Sequence, residues 1–135
     1  MLKKIETDKT KTLSHPQAFI DLCQRVADQV QQVDSEDVLV NTQAGHIILI
    51  DVRDGDELVE QGYISGAYHL SKGWIEAQIH LISENKNDAI VLYCGSGKRS
   101  LLAANGLQQM GYANVQSMSG GFKGWKEKGL PVDIM

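Results

Sequence analysis

The stretch DAIVLYCGSGKRS, Asp88 to Ser100, decides the fold. Asp88 to Tyr93 is short, β-branched and bounded by polar residues, the pattern of a buried strand. Cys94 stands where that strand ends. A tight turn with two glycines follows, then Lys98, Arg99 and Ser100. From Ser100 to Met110 the chain reads as a helix, and Gly111 closes it. A buried strand that turns sharply into a helix is the repeating unit of a parallel sheet. In such sheets, sites form outside the C-terminal ends of the strands, which is where the thiol falls.

The same alternation extends in both directions. His46 to Asp51, HIILID, reads as a buried strand with a carboxylate at its C-terminal end. A short acidic segment around Glu57 to Gln61 follows, then a short strand near Ala67 to Leu70. Trp74 to Ile82 returns to helical spacing. Asn114 to Met118 reads as a further strand, and the end carries a glycine pair and a short helix with Phe122 and Trp125. Upstream, Phe19, Leu22, Cys23, Val26, Val30 and Val33 recur at spacings of three and four, which predicts a helix over Pro16 to Val33. Ser14 is a candidate cap for it, and Cys23 falls on its apolar face as a small core hydrophobe. Asp34 or Ser35 can cap a second short helix ending near Gly45. The fold class is α/β: a central, mostly parallel sheet of about five strands with helices on both faces, plus an extra N-terminal helix.

Composition narrows the functional classes. A chain of 135 residues, 42% hydrophobic and 22% charged, is long enough for one real core. Its net charge of −4 gives no global field favouring nucleic acid or an anionic membrane, so neither is expected as a partner. The basic start has no apolar segment behind it, and the longest aliphatic runs, IILI and AIVL, are too short to span a bilayer. Two cysteines are too few for a disulfide framework and lack the clustering of a zinc site. A reducing, cytoplasmic setting is the expectation, with no metal or other cofactor. His15, His46, His69 and His80 also lack metal-ligand spacing and read as structural or surface residues, with only His69 in a loop facing the site. Trp74 reads as a packing residue.

The turn after Cys94 has its own chemistry. Glycines 95 and 97 let the backbone fold round the sulfur, so that successive N–H groups point inward as an anion-binding nest. The helix that starts near Ser100 adds the positive end of its dipole, and Lys98 and Arg99 add full charge. These features favour the thiolate, which is the nucleophilic form, and would also hold an anionic adduct on the sulfur. The alternative is a strand-end cysteine packed under a loop.

Cys94-Gly95-Ser96-Gly97-Lys98-Arg99-Ser100 resembles the active-site loop of the rhodanese sulfurtransferases. Asp51-Val52-Arg53 after a buried strand is similar to that family's Asp-Val-Arg signature. Gly62 to Ala67 is similar to its Gly-His-Ile-Pro-Gly-Ala, with Tyr63 and Ser65 departing from the commonest residues. Gly120-Gly121, Trp125 and Gly129-Leu130-Pro131-Val132 resemble its closing segment. The resemblance runs from about residue 36 to the C-terminus. It divides the chain into a flexible lead-in at 1–14, an extra helix at 15–34 and a rhodanese-like three-layer domain at 35–135.

What the resemblance implies is sulfur transfer without a cofactor. Cys94 attacks the outer sulfur of a donor such as thiosulfate or a persulfide, and carries it as a persulfide. It then passes the sulfur to a thiol, to cyanide or to a protein acceptor. Gly95, Ser96, Gly97, Lys98, Arg99 and Ser100 form the binding loop, with Lys98 attracting the donor and Arg99 bracing the loop. Asp51 and Arg53 are supporting residues: Asp51 accepts loop N–H bonds, and Arg53 pairs with Asp54, Asp56 or Glu57. Phosphatases and arsenate reductases of the same fold place five residues between Cys and Arg, whereas here only Gly95 to Lys98 intervene. Non-enzymatic binding or relay modules of the family often lack the cysteine, which is intact here. Cys23 is expected to stay out of the chemistry, so that a persulfide waits for an external acceptor. The sequence specifies no oligomeric state.

Overall fold

A computed structural model describes residues 15–135; the lead-in and the candidate cap Ser14 lie outside the described residues. The elements in chain order are α1 (Gln17–Ala27), β1 (Gln31–Val33), α2 (Ser35–Gln43), β2 (Ile48–Asp51), α3 (Gly55–Gln61), β3 (Tyr68–His69), α4 (Ile75–Gln78), β4 (Ile90–Tyr93), α5 (Lys98–Gln109), β5 (Val115–Met118) and α6 (Gly121–Glu127). Short 3₁₀ turns, Lys72–Trp74 and Ile79–Leu81, flank α4. The five strands are ordered β1-β5-β4-β2-β3, and every pairing between them is parallel. No helix among the described residues is long and apolar enough to cross a membrane.

The central strand explains the layers. All four residues of β4 are buried, and successive side chains leave opposite faces of the sheet. Ile90 and Leu92 join Ile50, Ile75, Ile79, Leu101, Ala104 and Leu107 on one face. Val91 and Tyr93 join Val38, Leu49, Met118, Phe122 and Trp125 on the other. Each fully buried aliphatic side chain contributes roughly 1.5–3 kcal/mol to holding these layers together. Cys94 keeps the parity of Ile90 and Leu92 and belongs to the α5 face.

The helix expected over Pro16 to Val33 is shorter than its spacing suggests. It ends at Ala27, and Gln31–Val33 form an edge strand paired in register with Gln116 to Met118. Val30 and Val33 fit helical spacing, but a parallel ladder with β5 outweighs a local pattern that the sequence alone can read. The extra segment is therefore a helix followed by a strand of the common sheet. α1 packs on α5, with Val26 and Ala27 against the core and Gln108 Nε2 donating to Gln29 O at 3.0 Å. Asp34 caps α2, its Oδ1 accepting from Asp37 N at 3.0 Å.

Candidate active site

β2 and β4 are neighbours, so Asp51 and Tyr93 stand side by side at the C-terminal edge of the sheet, with Cys94 next in the chain. The turn Gly95 to Gly97 then reverses the chain into α5. Gly97 has φ +96, a conformation that side-chain-bearing residues rarely adopt, and it caps the helix. The helix begins at Lys98, two residues earlier than its apolar pattern suggests, so Lys98 and Arg99 belong to its first turn. The Cys94 sulfur is fully buried and accepts two backbone hydrogen bonds, from Gly97 N at 3.1 Å and Ser100 N at 3.4 Å. Ser100 Oγ lies 3.5 Å from the sulfur and 2.7 Å from Ser117 Oγ on β5. Two inward N–H groups at a helix N-terminus form a cradle for negative charge on sulfur.

Helix α6 holds this turn from outside. Phe122 N donates to Cys94 O at 2.7 Å, and Lys123 N donates to Gly95 O at 3.0 Å. In a trans peptide the C=O and the following N–H point oppositely, so these bonds turn the Gly95 and Ser96 N–H groups away from α6. The close approach depends on Gly121: a Cβ there would stand 2.6 Å from Cys94 O and 2.7 Å from both Gly95 C and Gly95 O. The glycine pair at 120–121 is thus part of the active-loop support.

Arg99 braces the loop through Glu57 of α3. Its Nη1 and Nη2 donate to Glu57 Oε2 and Oε1 at 2.8 and 2.9 Å, a two-point pair. Glu57 Oε2 also accepts from Asp54 N at 2.9 Å. Burial pushes the Glu57 carboxyl upward, but the Arg99 and Asp54 hydrogen bonds and the charges of Arg99 and Arg53 outweigh it and hold it below its ordinary value. The Glu57 hydrogen bond, opposed by burial, raises Arg99 above its ordinary value. Arg99 therefore stays charged while its charge is spent largely on Glu57.

Asp51 and Arg53 serve the other face of the sheet. The expected partners for Arg53 were acidic residues of the next helix, but it turns back on Asp51 instead. Its Nε donates to Oδ1 at 3.0 Å and its Nη2 to Oδ2 at 2.7 Å. Asp51 Oδ1 also accepts from Arg53 N at 3.0 Å, so both the backbone and the side chain of Arg53 bind this carboxylate. Arg53 is wholly buried, lies 4.1 Å from the Phe122 ring centre and donates to Gly62 O at 2.8 Å. A guanidinium with no access to water needs a carboxylate within reach, and residue 51 supplies it on the same side of the strand. Burial drives Tyr93, beside this pair, far above its ordinary value, with the Asp51 charge adding to the shift; its hydroxyl oxygen accepts from Ile64 N at 3.1 Å. The pair ties β2 to the segment before β3 and to α6.

Above the turn lies a cavity of about 800 Å³. Gly95, Ser96, Lys98 and Arg99 form its floor, and Lys72, Phe122 and Lys123 stand on its sides. Phe19 of α1 and His15, just before that helix, complete the lining, a role that sequence reasoning missed because helical spacing says nothing about which loop a helix end overhangs. Ser117 was also missed, since a serine inside a strand carries no signal of its own. Trp74, read as a packing residue, is 59% exposed and is not among the residues that line this cavity. His69 sits beside the site, its Nε2 2.7 Å from Arg53 O. Cys23 is buried and free, as its helical face predicts, but it lines a smaller cavity of about 300 Å³ behind Ser96, Gly97 and Lys98. Burial pushes the Cys23 thiol up, against the opposing charge of Lys98, so it remains a thiol.

These residues build a parallel α/β sheet with a thiol cradled by backbone N–H groups at its C-terminal edge. Residues 34–128 match the rhodanese-like domain, and the chain belongs to that family. It is 34% identical over 106 residues to a sulfurtransferase of Allochromatium vinosum, covering 76% of this chain and 94% of that one. It is also 34% identical over 87 residues to the thiosulfate sulfurtransferase GlpE of Shewanella oneidensis, covering 64% and 82%. The solution structure of the 30 kDa polysulfide-sulfur transferase homodimer from Wolinella succinogenes superposes with a TM-score of 0.73 at 26% identity, covering 86% and 87%.

Proposed function

We propose that this protein is a sulfurtransferase that moves a sulfane sulfur from thiosulfate or an organic persulfide to a thiophilic acceptor, with Cys94 as the carrier. The observation that carries the reading is the cradle itself: the Cys94 sulfur accepts from Gly97 N and Ser100 N at the head of α5. The sulfurtransferase relatives support the same class.

The residues divide the work. The Cys94 thiolate attacks the outer sulfur of the donor. A new S–S bond forms, the donor's S–S bond breaks, and sulfite, or the thiolate R–S⁻ of a persulfide donor, leaves with the electron pair. The loop N–H groups then hold the negative charge on the outer sulfur of the persulfide, where fixed dipoles in a water-poor site need no reorganisation. An acceptor thiolate or cyanide attacks that sulfur and restores the Cys94 thiolate. Lys98, in the first turn of α5 on the cavity floor, draws the anionic donor in and stabilises departing sulfite. Arg99 positions the turn through Glu57. Asp51 and Arg53 are positioning residues that act through the packing of β2.

Steady-state kinetics with thiosulfate and cyanide test this. Parallel double-reciprocal lines are expected, because sulfite leaves before the acceptor binds. Cys94→Ser should release no sulfite. Intersecting lines, or sulfite release that survives Cys94→Ser, would refute the carrier role.

A further inference from the structure

We propose that Phe19 of α1 and His15, just before that helix, are specificity-determining residues that shape the active site into a pocket for an organic sulfur anion. The donor would be of the type R–SO2–S⁻ or R–S–S⁻, with an apolar body. This rests on the sulfurtransferase reading and adds the residues that set the preference among donors.

Size is the first argument. A cavity of about 800 Å³ lies within the range that holds organic ligands, roughly 300–1,000 Å³, and an anion the size of thiosulfate fills only a small part of it. The second argument is the wall. The His15 and Phe19 rings stand 4.9 Å apart and tilted by 51°, and both line the cavity, with Phe122 also on its wall. His15 and Phe19 come from outside the matched family segment, which begins at residue 34. Helix α1, which carries Phe19, is packed on α5.

Charge is the third. With the Glu57–Arg99 pair set aside, the lining carries Lys72, Lys98, Lys123 and Lys126 against Asp54 and Glu127. Cations around a turn that already cradles negative charge select an anion, and aromatic rings in the same lining select an apolar body on it. A thiosulfonate satisfies both and keeps the chemistry balanced. Its outer sulfur joins Cys94, the S–S bond to the sulfonyl sulfur breaks, and the sulfinate R–SO2⁻ leaves with the electron pair.

The test compares benzenethiosulfonate with methanethiosulfonate and thiosulfate. Sulfinate or sulfite release is followed for wild type, Phe19→Ala and His15→Ala, and binding of both thiosulfonates is measured on Cys94→Ser, which cannot turn over. Wild type should favour the phenyl over the methyl donor by about tenfold in kcat/KM, the scale of one well-packed aromatic contact. Phe19→Ala should remove most of that preference, and exposed His15→Ala part of it. A partly unfolded variant lowers both donors alike, so the ratio reports the wall and not the folded fraction. A phenyl preference unchanged by Phe19→Ala, in turnover and in binding, overturns the proposal. If no donor transfers sulfur but phenyl binding to Cys94→Ser still depends on Phe19, the pocket assignment stands and the sulfurtransferase reading falls.

Discussion

Gly121→Ala tests whether the active loop is held in place by its contact with α6. Two costs are expected. Residue 121 has φ +58, and a side chain there meets the left-handed penalty of about 1–2 kcal/mol. The new methyl would also stand 2.6–2.7 Å from Cys94 O, Gly95 C and Gly95 O. Those are backbone atoms fixed by the hydrogen bonds from Phe122 N and Lys123 N, so the methyl forces the loop to move, at about 1–3 kcal/mol for an overpacked site. The sum is about 2–5 kcal/mol. Gly45→Ala is the matched control, with φ +73 and nothing within 4 Å of the added atom. It carries the dihedral cost alone, about 1–2 kcal/mol. Both substitutions reduce the freedom of the unfolded chain equally, and that effect cancels between them. Denaturant unfolding measures the difference, and persulfide formation measures the loop. Gly121→Ala should be the less stable of the two and slow in sulfur uptake, with Gly45→Ala at the wild-type rate. Equal stabilities would refute the argument from close approach.

Other substitutions separate the remaining contacts. Glu57→Gln should lower stability at neutral pH by about 1 kcal/mol or less, because the pair with Arg99 is partly exposed. Since the folded state holds Glu57 below its ordinary value of 4.5, this contribution is fully present above that value and disappears as pH falls through the folded value. The gap between wild type and variant in unfolding experiments should therefore close in acid; a constant gap from pH 7 to strongly acidic conditions contradicts the assignment. Asp51→Ala strands the buried Arg53 guanidinium and should cost about 3–5 kcal/mol. Folded Asp51→Ala molecules should still take up sulfur on Cys94, and complete loss of uptake in a folded sample would make Asp51 part of the chemistry.

The sequence carried most of the layer structure because β4 is apolar at every position and the helix after it has a plain amphipathic face. It misread Val30 and Val33, whose spacing suits a helix but whose place is decided by pairing with β5, far along the chain. The start of α5 also came late, since Lys98 and Arg99 have no apolar pattern to mark a first turn. At the site, the glycine spacing around Cys94 announced a tight turn, and Gly97 N and Ser100 N reach the sulfur. The partners of the two arginines were hidden for different reasons. Arg53 meets Asp51 only because the strand end brings residues two apart onto one side. Arg99 meets Glu57 across 42 residues, through sheet order that no local window contains. The overhang of His15 and Phe19 was hidden in the same way, in the packing of α1 on α5.

The most direct test of the central claim is an intact mass spectrum of the protein after incubation with thiosulfate, followed by peptide mapping, with Cys94→Ser alongside. The account predicts a gain of one sulfur atom per chain, located on the Cys94 peptide, absent from Cys94→Ser and removed by cyanide. A sulfur found on Cys23, a gain that persists in Cys94→Ser, or no gain with either thiosulfate or an organic thiosulfonate would contradict it.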